Sequence, residues 1–165
     1  MVITVPFILF LILNFILLFL FLKTVDKRKW LVLIISLVLT PFAYFYVFYP
    51  FINIISSYHH QKYFDSDNWK NNPALRYEMM DQMMISEELI GLSTKEAEIL
   101  LGQPEWYTWD DIRKQHDSSK WNYGLGIKPG AFNTNKSNAL IVFENGKLVE
   151  ISSYDEALIY TNTNE

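Results

Sequence analysis

Four short groups in this chain hold side chains capable of chemistry: His59-His60, Asp65-Ser-Asp67-Asn68, His116-Asp117, and the glycine-spaced run Gly124-Leu-Gly126 with Lys128-Pro-Gly130. The acidic group matches the start of a calcium loop, where closely spaced carboxylates converge on one hard cation. Such a loop needs glycine at its sixth position and a bidentate glutamate at its twelfth; those places hold Lys70 and Arg76, so a solvated turn is expected. Adjacent histidines point to different sides of a regular element, and no cysteine or nearby third histidine completes a transition-metal site. His116 beside Asp117 pairs a base with an acid but has no poised nucleophile or glycine elbow. The glycine-spaced run lacks the strand, loop and helix setting of a phosphate cradle and reads as a turn between strands. The expectation is a chain with no catalytic residue, no metal ligand and no cofactor, and therefore not an enzyme.

The strongest candidate for a functional surface is aromatic: Trp106, Tyr107, Trp109, Trp121 and Tyr123. Large rings anchor protein interfaces, and an antiparallel sheet can leave one face available to a partner. Alternation along the strands should bury part of this set.

The elements that position these residues fall into two classes. Ile3 to Leu22 and Trp30 to Tyr49 are oily stretches near the ~20 apolar residues needed to cross a hydrocarbon core as a helix. Between them lies the basic loop Lys23-Thr-Val-Asp-Lys-Arg-Lys29. No Lys or Arg precedes Lys23 and no small-residue cleavage pattern follows the first stretch, which argues for a retained span rather than a signal peptide. With no cysteine there is neither a disulfide nor a lipid-modified thiol. Basic residues are retained on the cytoplasmic side, so Lys23, Lys27, Arg28 and Lys29 place the loop inside and both termini outside the cytoplasm, in an inner or plasma membrane. Pro41 predicts a kink near Thr40, and the rings Phe42, Tyr44, Phe45, Tyr46, Phe48, Tyr49 and Phe51 read as an interfacial anchor around Pro50. Neither span contains a charge, which speaks against a channel or transporter.

Taking the loop's four bases and Asp26 from the 14 basic and 18 acidic residues leaves 10 against 17, a balance of −7 for the remainder. That remainder lacks the basic footprint of nucleic-acid binding and is repelled by anionic head groups. Three parts are expected: residues 1–56 as a two-helix transmembrane anchor, 57–72 as a linker docking through Phe64 and Trp69, and 73–165 as an α+β domain. In the last, Asn72-Pro73 starts a helix running to about Ile85, with Leu75, Met79 and Met83 four apart, and Tyr77, Met80 and Met84 beside them forming a core-facing stripe. Ser93-Thr-Lys-Glu96 is a capping box opening a short helix that Gly102 and Pro104 close. Strand-like residues follow from Trp106, and Asn145-Gly146 between Ala139–Glu144 and Lys147–Ser152 is a hairpin signal. The segment from Asp155 fits a last short helix or strand.

Arg76-Tyr-Glu-Met79, Leu89-Ile-Gly91-Leu-Ser93-Thr-Lys-Glu96, Leu100-Leu-Gly102-Gln-Pro104, Trp121-Asn-Tyr123 and the hairpin Leu140 to Gly146 together resemble the SmpA/OmlA (BamE-like) family and its relatives with the fold of the β-lactamase inhibitor protein. The resemblance covers under half of the chain. It implies helices packed on one face of an antiparallel sheet, and a module that acts through protein contacts. The family's outer-membrane lipoproteins carry a lipidated N-terminal cysteine; this chain has two oily spans and no cysteine. The expected whole is an α+β protein, two N-terminal transmembrane helices followed by a small two-helix plus antiparallel-sheet domain. Its expected partners are the lipid bilayer and an envelope protein, with no nucleic acid. The alternatives are a metal-binding sensor built on His59, His60 and the acidic linker, and an inhibitor-like module acting on an envelope enzyme.

Overall fold

A computed structural model describes residues 1–158, and the fold is α+β: helices and one four-stranded antiparallel sheet. The described chain divides into two compact units. The first comprises Met1–His60 with Pro129–Phe132, and the second Gln61–Lys128 and the chain from Asn133 onward. The boundary at His60 assigns most of the expected linker to the second unit.

In the first unit, α1 (Val5–Val25) begins at Thr4, whose side chain accepts from the Phe7 amide, with Pro6 in the opening turn where its missing N–H costs nothing. Helix α2 (Lys29–Ala43) runs into a π-helical turn, Tyr44–Phe48, and then α3 (Tyr49–Ile55). Both α1 and the continuous helical segment from Lys29 to Ile55 are long and apolar enough to cross a membrane. Val32, Ser36, Thr40 and Tyr44 recur every four residues and are buried. The hydroxyls of Ser36 and Thr40 donate to their own helix at the carbonyls of Val32 and Ser36, both at 2.7 Å, which leaves a narrow face for close helix approach. The amide of Asn14, buried on α1, donates to the Thr40 carbonyl at 2.9 Å.

Pro41 has no N–H to give to Leu37, so the helical ladder is interrupted there. The Tyr44 amide is shared between the Pro41 and Thr40 carbonyls, and the Tyr49 amide reaches back five residues to Tyr44. The proline therefore leads into a π turn, and Pro50 falls in the first turn of α3 instead of ending the helix. Pro129–Phe132 joins this unit through the Ala131 amide, which donates to the Ile54 carbonyl at 2.8 Å.

The second unit begins with residues alongside α5 (Tyr77–Ser86): Gln61 donates to Asp81 at 2.8 Å, and Lys62 pairs with Glu78 at 2.6 Å. Next comes α4 (Ser66–Asn71), capped by Asp65, whose carboxylate accepts from the Asn68 amide. The expected solvated turn and much of the expected linker are thus a helix, and Trp69 on it is fully buried. The predicted helix start at Asn72-Pro73 becomes a 3-10 turn, Pro73–Leu75, without a side-chain cap, and α5 begins only at Tyr77. Tyr77, Met79, Met80 and Met83 enter the core, while Leu75 stays exposed.

Helix α6 (Thr94–Leu101) opens on the expected box: Ser93 accepts from the Glu96 amide and the Glu96 carboxylate accepts from the Ser93 amide. The strands β1 (Trp106–Asp110), β2 (Gln115–Gly126), β3 (Asn135–Glu144) and β4 (Lys147–Ala157) lie in sequence order. Asn145 at φ 51° and Gly146 at φ 72° make the β3–β4 turn. The chain past Asp155 continues β4 as far as Ala157, and residues 159–165 lie outside the described residues. Gly124 and Gly126 lie in β2, and a side chain on Gly126 would meet the Ala74 carbonyl oxygen at 2.2 Å, so this strand end approaches the 3-10 turn only as glycine.

Candidate functional site

Cross-strand pairing sorts the five candidate rings onto faces. Tyr107 pairs with Trp121, Trp121 with Ile141 and Ile141 with Ile151, forming one row across the core face of the sheet. Trp121 is 5% exposed and Tyr123 0%, so both belong to the core and offer a partner no surface. Tyr107 packs half-buried against the same core. Trp106 and Trp109 remain outside, at 36% and 49% exposure.

Three residues apart on an extended strand, Trp106 and Trp109 project to opposite sides of β1. They do not share a sheet face. They flank one edge, because among the described residues β1 pairs only with β2 in the sheet order. The Glu105 amide donates to the Asn122 carbonyl at 3.0 Å, beside the Trp106–Asn122 pair at the start of β1.

Trp106 pairs with Asn122 on the face opposite the core. On this face the Tyr154 hydroxyl donates to Asn122 Oδ1 at 3.0 Å. Asn122 Nδ2 in turn donates to Thr108 Oγ1 at 2.9 Å. Burial pushes the Tyr154 phenol above its ordinary range. Asn122 Nδ2 also reaches the Trp106 carbonyl at 3.5 Å, which ties this network to the β1 backbone. The sequence reading missed Tyr154 and Asn122: counting from the Asn145-Gly146 turn puts Ser153 opposite Asn138, and only the register shift between Val142 and Phe143 brings Tyr154 there.

Beyond Trp109, which meets His116 edge-on at 5.2 Å, the chain turns at a charged tip. Asp110 accepts from the amides of Ile112 at 2.8 Å and Arg113 at 3.0 Å, and these bonds, the Arg113 amide foremost, hold its carboxyl below the usual range. Ile112 at this tip is 95% exposed. His116 Nδ1 lies 3.1 Å from the Tyr107 carbonyl, and Asp117 accepts from Ser119, whose hydroxyl lowers its pKa; the two side chains thus serve separate local contacts.

Tyr123 belongs to an internal network. The Arg76 guanidinium lies 5.0 Å from the Trp69 ring and 5.5 Å from that of Tyr123. It donates to the carbonyls of Trp69 at 2.7 Å and Gly124 at 3.0 Å and pairs with Glu105, whose other oxygen accepts from the Gly124 amide at 2.9 Å. The Tyr123 hydroxyl donates to the Gly102 carbonyl at 2.8 Å, and burial raises its pKa. Planar, many-donor arginine suits such an enclosed position.

In the first unit, His60 Nε2 lies 2.9 Å from the Tyr44 hydroxyl, and its ring stacks on Tyr49 at 4.0 Å. Phe7, Phe45 and Tyr58 meet the imidazole edge-on. His59 Nδ1 lies 3.0 Å from the Ser57 carbonyl. Among the described residues no three His, Cys, Asp or Glu side chains are grouped to hold a metal ion.

Compared with protein-family models, curated proteins and solved structures, the chain matches none.

Proposed function

We propose that this chain is a bilayer-anchored binding module that captures an extended segment of an envelope protein along β1. The observation that carries the reading is the pair of exposed tryptophans on opposite sides of one edge strand. A partner docking on a sheet face would meet one ring; a strand added to the edge passes between both. Strand addition takes affinity from backbone hydrogen bonds and specificity from alternate side chains, and it needs no catalytic group. The likeness of the second unit's motifs to SmpA/OmlA (BamE-like) proteins supports the same mode of action.

The anchor is the helical pair. At 1.5 Å per residue the 27-residue segment from Lys29 extends roughly 40 Å, more than the ~30 Å of a hydrocarbon core. The basic loop lies in the cytosol and both termini outside. Thr24→Cys and Ser118→Cys, labelled with an impermeant thiol reagent on intact spheroplasts, check this: labelling at position 118 alone is expected, and labelling at position 24 alone reverses the topology.

A photo-crosslinking residue in place of Trp109 tests the docking edge in cells. A defined product is expected whose purified partner slows exchange of the amides on the unpaired edge of β1. Undiminished binding in the Trp106→Ala/Trp109→Ala protein would remove β1 as the site.

A further inference from the structure

Between the last turn of α1 and the first turn of α2 lies a pocket of about 370 Å³ lined by Phe19, Lys23, Asp26, Lys27, Lys29 and Val32. Its lining combines the apolar side chains of Phe19 and Val32 with three lysines and Asp26. Arg28 does not add to that charge, because it is committed to Asp26: Nη2 reaches Oδ2 at 2.8 Å and Nε reaches both carboxylate oxygens at 3.2 Å. This pair cancels, and among the described residues Lys23, Lys27 and Lys29 enter no ion pair, so the pocket presents a net charge of three lysines.

Two further features favour an anion. The first-turn amides of α2 receive no side-chain cap, since the preceding residue is Arg28, and uncapped amides at a helix start attract negative charge. Trp30 projects outward beside the pocket, and exposed indoles favour the level of lipid head groups. An anion with an apolar body satisfies both kinds of lining residue.

We propose that this pocket binds the phosphate head group of an anionic glycerophospholipid, whose acyl chains lie along the apolar helices; the proposal rests on the bilayer-spanning reading above. Lysines Lys23, Lys27 and Lys29 hold the phosphate, while Phe19 and Val32 meet the glycerol ester region. Asp26 limits affinity by occupying Arg28.

The test is native mass spectrometry of the full chain in mild detergent. It is titrated with phosphatidylglycerol, with phosphatidylcholine of the same acyl chains, and with glycerol phosphate as the head group alone. Phosphatidylglycerol is expected to be retained preferentially, and each of Lys23→Gln, Lys27→Gln and Lys29→Gln to weaken it about fivefold. Asp26→Asn, which releases Arg28, is expected to tighten binding by a similar factor, a gain that a damaged anchor does not produce. Equal retention of both lipids, lysine variants without effect, or displacement by glycerol phosphate at lipid-like concentration would overturn the lipid site. Alkaline extraction of membranes separates the two readings: a variant that stays in the membrane without head-group preference refutes the lipid site alone, whereas an unsubstituted chain that is extracted refutes the anchor.

Discussion

Each unit contains one dense collection of rings, and the two are divided between inside and outside by different periods. In the first unit, Tyr44 is fully buried against Phe7 and His60, while Tyr46, two residues on, is 79% exposed. In the second, Trp121 and Tyr123 are buried two residues apart on a strand, and Trp106 and Trp109 flank the edge. On a helix a step of two moves a side chain most of the way to the opposite face; on a strand it returns to the same one. Aromatic density alone therefore identifies neither an interfacial belt nor a docking surface.

The sharpest way to break this division is truncation in the second unit. Trp121→Ala should cost about 3–5 kcal/mol, as for other buried large rings, and Trp109→Ala within about 0.5 kcal/mol of nothing. Urea denaturation of the two variants measures both, and equal losses would place Trp109 in the core. Next in size is Arg76→Met, which leaves the Trp69 and Gly124 carbonyls without their donor. Removing one member of a buried pair costs about 3–5 kcal/mol, and because the Glu105 side chain is 41% exposed and can rehydrate, about 2–3 kcal/mol is expected. A further comparison lies in the anchor: Tyr44→Phe keeps the ring but loses the contact with His60, costing about 1 kcal/mol in thermal unfolding in detergent, whereas Tyr46→Phe should be silent.

Changes in pH sharpen the same contrast with the smallest effect. Glu96, Asp110 and Asp117 are held below their ordinary values of 4.5, 3.8 and 3.8, each by hydrogen bonds it accepts. Their stabilisation is complete above those values and is lost as pH falls through the lower folded ones, so urea midpoints should be flat near neutrality and decline below about pH 4. Ser93→Ala should flatten the Glu96 part of that decline. Tyr123 acts in the other direction: its pKa is raised by burial from 10.0, so its contribution is intact below about pH 10 and is lost at higher pH. Acid thus acts on carboxylates held by local turns and caps, and alkali on the core.

Where one local rule governed, the structure was legible in the sequence. The Ser93 box and the Asn145-Gly146 turn each depend on neighbours a few positions apart and take their expected places, as do Met79, Met80 and Met83 of the methionine stripe, whereas Leu75 stays exposed ahead of α5. Helix α4 was hidden because six residues, SDNWKN, are poor helix formers whose order comes from tertiary bonds: Ser66 donates to the Leu100 carbonyl at 2.7 Å, and Trp69 fills the core. The π turn was hidden for a related reason, since Pro41 announces a broken ladder but not how it is repaired. Of the candidate site, the residue types were readable and the faces were not. β2 starts at Gln115, earlier than its hydrophobic residues suggest, and its pairing with β1 shifts after Tyr107, so no simple count from one strand places Trp109 on the next.

Arg76 gathers groups from positions 69, 105 and 124, which are distant along the polypeptide. An incomplete assembly cannot satisfy it in part without stranding a cation away from water, so intermediates lacking any one of the three segments gain little from the other two. The guanidinium thereby couples the arrival of a helix, a loop and a strand into a single event, and the second unit should melt as one block rather than fray from its helical side.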